Sequence, residues 1–206
     1  MPLVEIIYTE GGMIGLYKMT ETPEKLEKTY AEIFGTIPPE ENFKHFRRKK
    51  EWLTTRLLIA RLAGPGFSIS YTKAGKPNII HPEYKFISIS HSAAYVAVYL
   101  NKNKKVGIDI EQLNRNYSAI EKKYLSEEEL EHTKQYPELK AIYWSAKEAI
   151  FKWADNEGID FREQISIENY IPGTSQTFYA TLKNPDNQMI LLQHLLFDEH
   201  VLVYTC

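Results

Sequence analysis

Val106-Gly107-Ile108-Asp109-Ile110-Glu111 and Trp144-Ser145-Ala146-Lys147-Glu148-Ala149-Ile150-Phe151-Lys152 are the two stretches whose reading decides the fold. Alternation in the first puts Val106, Ile108 and Ile110 on one face of a strand and Gly107, Asp109 and Glu111 on the other. The second has helical spacing, with Glu148 and Lys152 as an i,i+4 pair on one surface. A strand followed by a helix, each with one apolar side, predicts an α+β protein. Two carboxylates on one strand face repel unless a cation or a basic group sits between them. If strand and helix face each other, three acidic groups and a lysine converge, which suits a hard divalent cation and a phosphate chain.

Working outward, the chain of 206 residues is long enough for a full core, as one domain or two small ones. Its 43% hydrophobic and 25% charged residues are ordinary for a soluble globular protein. No apolar run reaches the ~20 residues of a membrane span. Met1-Pro2-Leu3-Val4-Glu5 has neither a basic region nor an apolar core of a signal peptide, so a cytoplasmic location is expected. The single cysteine, Cys206, cannot close an internal disulfide. A net charge of −2 argues against general nucleic-acid binding, though not against a local basic patch.

Three markers recur along the chain. The early strand Val4 to Tyr8 has a counterpart in Val106 to Ile110. Trp52 lies in a helical run from Phe46 to Leu62, and Trp144 in one from Leu139 to Ala154. Tyr95-Val96-Ala97-Val98-Tyr99 closes one half, and His200-Val201-Leu202-Val203-Tyr204 closes the other. Further strand-like runs are Phe67 to Tyr71, Phe86 to Ile89, Ile165 to Tyr170 and Phe178 to Leu182. The expected architecture is two similar α+β subdomains, residues 1–103 and 104–206, in a pseudo-twofold arrangement. The turn Asn101-Lys102-Asn103-Lys104-Lys105 would join them, and the protein would be a monomer.

Several other residues invite chemistry. Ser126-Glu127-Glu128-Glu129 has the letters of a capping box, with Glu129 reaching back to the cap. Gly75-Lys76-Pro77 is a stiff turn from which Lys76 projects. Ser90 and His91 end a strand, where polar side chains can meet a ligand. Lys44, Arg47, Arg48, Lys49, Lys50, Arg56 and Arg61 form a basic run that includes one acid, Glu51. Such a run is by default a solvated helix face. No nucleophile elbow, phosphate-cradling glycine loop or zinc spacing is present.

Gly-Ile-Asp-Ile-Glu followed by Trp-Ser-Ala-Lys-Glu-Ala-Ile-Phe-Lys resembles the paired signature of the 4′-phosphopantetheinyl transferases. Gly75-Lys76-Pro77 and Ser88-Ile89-Ser90-His91-Ser92 follow the order of the family's surfactin-type branch, which is built as a duplicated α+β module. These enzymes move the phosphopantetheine arm of coenzyme A onto a serine of an acyl or peptidyl carrier protein and release adenosine 3′,5′-bisphosphate. The resemblance implies Asp109, Glu111 and Glu148 as Mg²⁺ ligands, and Lys152 as a contact to the diphosphate. It implies Lys76, Ser90 and His91 at the nucleotide end of coenzyme A. A 3′-phosphate there would need cationic donors, for which Arg48 and Arg56 are the candidates. The general base stays open among Glu148, Glu129 and a metal-bound water. Two rivals differ in kind: a Mg²⁺-dependent nucleotide phosphohydrolase, and a catalytically silent carrier- or coenzyme-A-binding module.

Overall fold

A computed structural model describes residues 3–36, 45–154, 156 and 158–206. The chain divides into two compact units, Met1–Lys104 and Lys105–Cys206. Both are mixtures of helix and antiparallel sheet, the α+β class expected from the sequence. Among the described residues no helix is long and apolar enough to cross a membrane.

The first unit opens with a hairpin, β1 (Leu3–Thr9) and β2 (Gly12–Lys18), turned at Gly11 with φ 69°. Helices α1 (Pro23–Phe34) and α2 (Phe46–Ala63) follow, then β3 (Ser68–Tyr71) and β4 (Pro77–Ile80) as a separate two-stranded ribbon. Strands β5 (Phe86–His91) and β6 (Tyr95–Asn101) complete a sheet of order β1-β2-β6-β5. Leu58 and Ile59 of α2 pack with Tyr17, Ile87, Val96, Val98 and Leu100. Leu53 and Leu57 meet Leu26 and Tyr30 of α1. Asn101 ends the last strand: its Oδ1 accepts from the amides of Asn103 and Lys104, each at 2.9 Å, in the Asx-turn manner.

The second unit begins with β7 (Ile108–Gln112), followed by the short α3 (Glu121–Tyr124), α4 (Glu127–Gln135) and α5 (Leu139–Ala154). After α6 (Phe161–Gln164) come β8 (Ile165–Ile167), β9 (Thr177–Leu182), β10 (Gln188–Phe197) and β11 (His200–Thr205). The sheet order is β7-β11-β10-β9-β8. Asp198 and Glu199, with φ of 42° and 58°, make the tight turn between β10 and β11, the paired positive φ that a two-residue hairpin favours. The apolar face of α5, including Ile142, Ala146, Ala149 and Ile150, packs on Leu192, Val201 and Val203.

One expectation changes. In each sheet the closing strand, β6 or β11, lies between the strand entering the helices and the strand preceding it. The counterpart of β7 by pairing is therefore β2, not the Val4 to Tyr8 run, because β1 is an added outer strand. Strands β2, β4 and β10 and helix α1 were not marked in the sequence. The strand expected from Ile165 to Tyr170 stops at Ile167, beyond which the Tyr170 hydroxyl donates to the Ser175 carbonyl at 2.8 Å.

Candidate functional site

The acidic group is set up by a glycine. A Cβ on Gly107 would lie 1.9 Å from the carbonyl oxygen of Ala149, so the start of β7 touches the backbone of α5. That approach turns Asp109 and Glu111 toward Trp144, Glu148 and Lys152, which share one stripe of α5 at i, i+4 and i+8. Lys152 Nζ donates to Asp109 Oδ1 at 2.8 Å and to the Ile108 carbonyl at 3.0 Å. Glu111 Oε1 accepts from Trp144 Nε1 at 3.0 Å and from Arg115 Nη1 at 2.5 Å.

Glu148 is half-buried, and its carboxyl is pushed up to about 7. Burial is the largest cause, followed by the charge of Asp109; Lys152 opposes both and Glu111 adds to them. Glu111 is also raised, by burial and then by Asp109, with Arg115, Trp144 and Lys152 pulling it back. The charge of Asp109 thus adds to burial in holding back the ionisation of Glu111 and Glu148, a state that a cation relieves.

As a donor set they suit a hard, oxygen-preferring divalent ion. Among the described residues, however, no three Asp, Glu, His or Cys side chains are already arranged to hold one. Asp109 and Glu111 instead carry Lys152 and Arg115 as ion-pair partners.

Glu129 is not part of this group. The capping box is present, with Ser126 N donating to Glu129 Oε2 at 2.9 Å. The same carboxylate takes Lys147 Nζ at 2.6 Å and Ile167 N at 2.9 Å, and Glu129 is 4% exposed. Lys147 is fully buried and also donates to the carbonyls of Tyr124, Phe161 and Ile165. Burial lowers its ammonium from the ordinary lysine value, against the pull of Glu129. The pair ties α5 to α4 and β8, so one charged letter from each of two motifs serves the core. Trp144 does both jobs: its ring packs on Tyr124 and its indole nitrogen holds Glu111.

The basic run of the first unit is dispersed. Lys44 lies outside the described residues. Lys49 pairs with Glu27, Lys50 donates to the Met19 carbonyl at 2.9 Å, and Arg47 Nε donates to Glu51 at 2.7 Å. Arg48 and Arg56 line a cavity of about 480 Å³ together with Glu51, Trp52, Tyr71 and His91. The Arg56 guanidinium lies 3.5 Å from the centre of the Trp52 ring. Lys76 sits between two other lining residues, Gly75 and Pro77, in the turn joining β3 and β4. Gly75 there has φ 82°, and its amide donates to the Thr72 carbonyl at 2.9 Å. Ser90 is buried and does not line the cavity.

The sequence reading missed Gly107 as a packing residue, Arg115 and Trp144 as partners of Glu111, and Glu51 as a cavity residue. Gly107 and Trp144 stood inside the quoted motifs. Glu51 was visible only as the one acid of a basic run.

Comparison with known proteins gives two kinds of match. The family described as the 4′-phosphopantetheinyl transferase superfamily matches residues 105–205. The protein named 4′-phosphopantetheinyl transferase AcpT of Escherichia coli (strain K12) is 30% identical over 144 residues, spanning 66% of this chain and 72% of that relative. AcpT of Salmonella typhimurium (strain LT2) is 27% identical over 132 residues, spanning 61% and 67%.

Proposed function

The chain belongs to the 4′-phosphopantetheinyl transferase superfamily, and from that premise we propose that it transfers the 4′-phosphopantetheine arm of coenzyme A to a serine of an acyl or peptidyl carrier protein, with Mg²⁺. The observation that carries the reading is the group of Asp109, Glu111 and Glu148 around Lys152, on a strand and helix locked together at Gly107. Asp109, Glu111 and Glu148 would hold Mg²⁺, which when bound neutralises charge on the diphosphate of coenzyme A.

The serine Oγ attacks the β-phosphorus. The bond from that phosphorus to the bridging oxygen breaks, and this oxygen leaves on adenosine 3′,5′-bisphosphate. Lys152, with Nζ beside the Asp109 carboxylate, supplies a fixed cation for the charge that grows during the cleavage. The serine proton passes to Glu148 or to a water beside it, the candidates left for the task once Glu129 is excluded. Glu129, expected as an alternative base, is committed to Ser126, Lys147 and Ile167. Arg48, Arg56 and His91, which line the cavity of the first unit, and Lys76 in the turn beside it would take the nucleotide end of coenzyme A, whereas Ser90, buried next to His91 in β5, would support His91 rather than touch the ligand.

The test follows adenosine 3′,5′-bisphosphate by chromatography, with and without an apo-carrier. Transfer predicts release that needs the carrier and Mg²⁺ and stops in excess chelator. Release without any carrier would favour a phosphohydrolase and sink the proposal. Undiminished transfer in chelator would remove the metal assignment.

A further inference from the structure

Glu51 is an acid where an anion is expected to bind. It lines the cavity of the first unit, and its side chain is 6% exposed. Around it stand three basic groups. Arg47 Nε donates to Oε1 at 2.7 Å, Arg48 Nη1 lies 3.9 Å from Oε2, and His91 Nε2 lies 3.8 Å from the same oxygen. Arg47 is held at a second point, where Nη2 donates to the Ser92 carbonyl at 3.3 Å. The side chains of Arg47 and Arg48 are 61% and 68% exposed, so Glu51, with the Ser92 carbonyl for Arg47, limits where their guanidinium groups go.

We propose that Glu51 is a positioning residue: its buried carboxylate draws Arg48 and His91 to one point of the cavity wall and holds Arg47 beside them, where the group receives a phosphate monoester of the ligand. On the coenzyme A reading given above, on which this inference rests, that group is the 3′-phosphate. Three cations gathered without a central anion would repel and splay, and the entropy of ordering two long side chains would fall on the ligand. With one carboxylate among them the cluster remains net positive once His91 is protonated or the two arginines are counted alone. An anion is therefore still attracted.

The two ways of regarding Glu51 predict opposite signs. As a bystander charge it repels the phosphate, and its neutralisation improves binding. As a positioning residue it is needed, and its neutralisation weakens binding. Glu51→Gln separates them, because the amide can still accept from Arg47 while its NH₂ turns a donor toward Arg48 and His91.

The experiment titrates adenosine 3′,5′-bisphosphate and adenosine 5′-monophosphate into the full chain by calorimetry. The same proteins are then assayed for transfer with coenzyme A and 3′-dephospho-coenzyme A. Wild type should prefer the bisphosphate, and Glu51→Gln should lose about 10-fold in affinity for it while changing little toward the monophosphate. In the assay KM for coenzyme A rises, kcat holds, and discrimination against the dephospho substrate shrinks. Glu51→Asp, which keeps the charge, should recover part of the loss. Misfolding alone would lower affinity for both nucleotides and would not change their ratio. An unchanged ratio in Glu51→Gln, or tighter binding of the bisphosphate, overturns the proposal while leaving the coenzyme A reading intact. A wild type that binds neither nucleotide overturns both.

Discussion

In the first unit α2 crosses β2 and β6 with Gly15 beneath it; in the second, α5 crosses β7 and β11 with Gly107 beneath it. The strand order around the closing strand is the same in both. The charged groups are placed differently. On β7 and α5 they are held by backbone meeting backbone, and Asp109 is 5% exposed. On α2 Arg47 and Arg48 are long cations, more than half exposed, beside one buried acid. Short carboxylates that must converge need a strand and helix in contact. A patch that receives a phosphate can use reach instead, provided something limits the freedom of its side chains.

The largest difference between the units is expected at the two glycines. Gly107→Ala drives a Cβ into the Ala149 carbonyl, and backbone cannot step aside as a side chain can. A loss of about 3 kcal/mol or more, read by urea unfolding, is expected together with loss of transfer. In Gly15→Ala the new Cβ meets the Cδ atoms of Leu58 and Leu62 at 2.9 Å, ends of flexible side chains. About 1 kcal/mol is expected there. Equal losses at both positions would mean that the second unit is not more tightly set than the first.

Next in size is Asp109→Asn. It removes charge from the acidic group but keeps an acceptor for Lys152, so the melting temperature should shift little. Transfer should fall at least about 100-fold, roughly 2.7 kcal/mol of transition-state stabilisation. A variant of near wild-type rate would show that the carboxylate is not part of the reaction.

A smaller effect lies in the pH dependence of stability without metal. The Glu148 carboxyl ionises near 7 when folded and from its ordinary value of 4.5 when unfolded. Between those values the folded protein binds more protons than the unfolded chain, so stability falls as pH rises through the window and levels off above it. The contribution is on the order of 2 kcal/mol once relaxation of the surroundings is allowed for. Urea titrations at several pH values in chelator should show this slope, flattened in Glu148→Gln. Parallel slopes in the two proteins would remove the argument for a proton held there. The least effect is a division of kinetic constants. Lys76→Ala should raise KM for coenzyme A, and Lys152→Ala should lower kcat, each by about 10-fold.

The α+β class, the extent of α5 and the alternation of β7 were legible because local period and apolar pattern agree in those segments. β2 escaped notice because Gly12 to Lys18 is buried at four successive positions, which erases the alternation that marks a half-buried strand. Asp109, Glu111 and Glu148 could be picked out as letters, but not the ion pairs that occupy Asp109 and Glu111. Lys152 and Arg115 reach them only after β7 and α5 have packed. Glu129 and Lys147 were the hardest to judge. Both are charged and both lie in recognisable motifs, yet a charged residue in a motif does not announce whether it faces a ligand or the core. The basic run failed for a related reason: composition gives the number of cations and says nothing of which have partners, and Lys49 and Lys50 are already engaged.

The most direct test of the account is intact-protein mass spectrometry of a panel of apo-carriers incubated with the full chain, coenzyme A and Mg²⁺. At least one carrier is expected to gain the mass of phosphopantetheine on its serine, and Asp109→Asn to leave the same carrier unmodified. Carriers of unchanged mass while coenzyme A is consumed would contradict it.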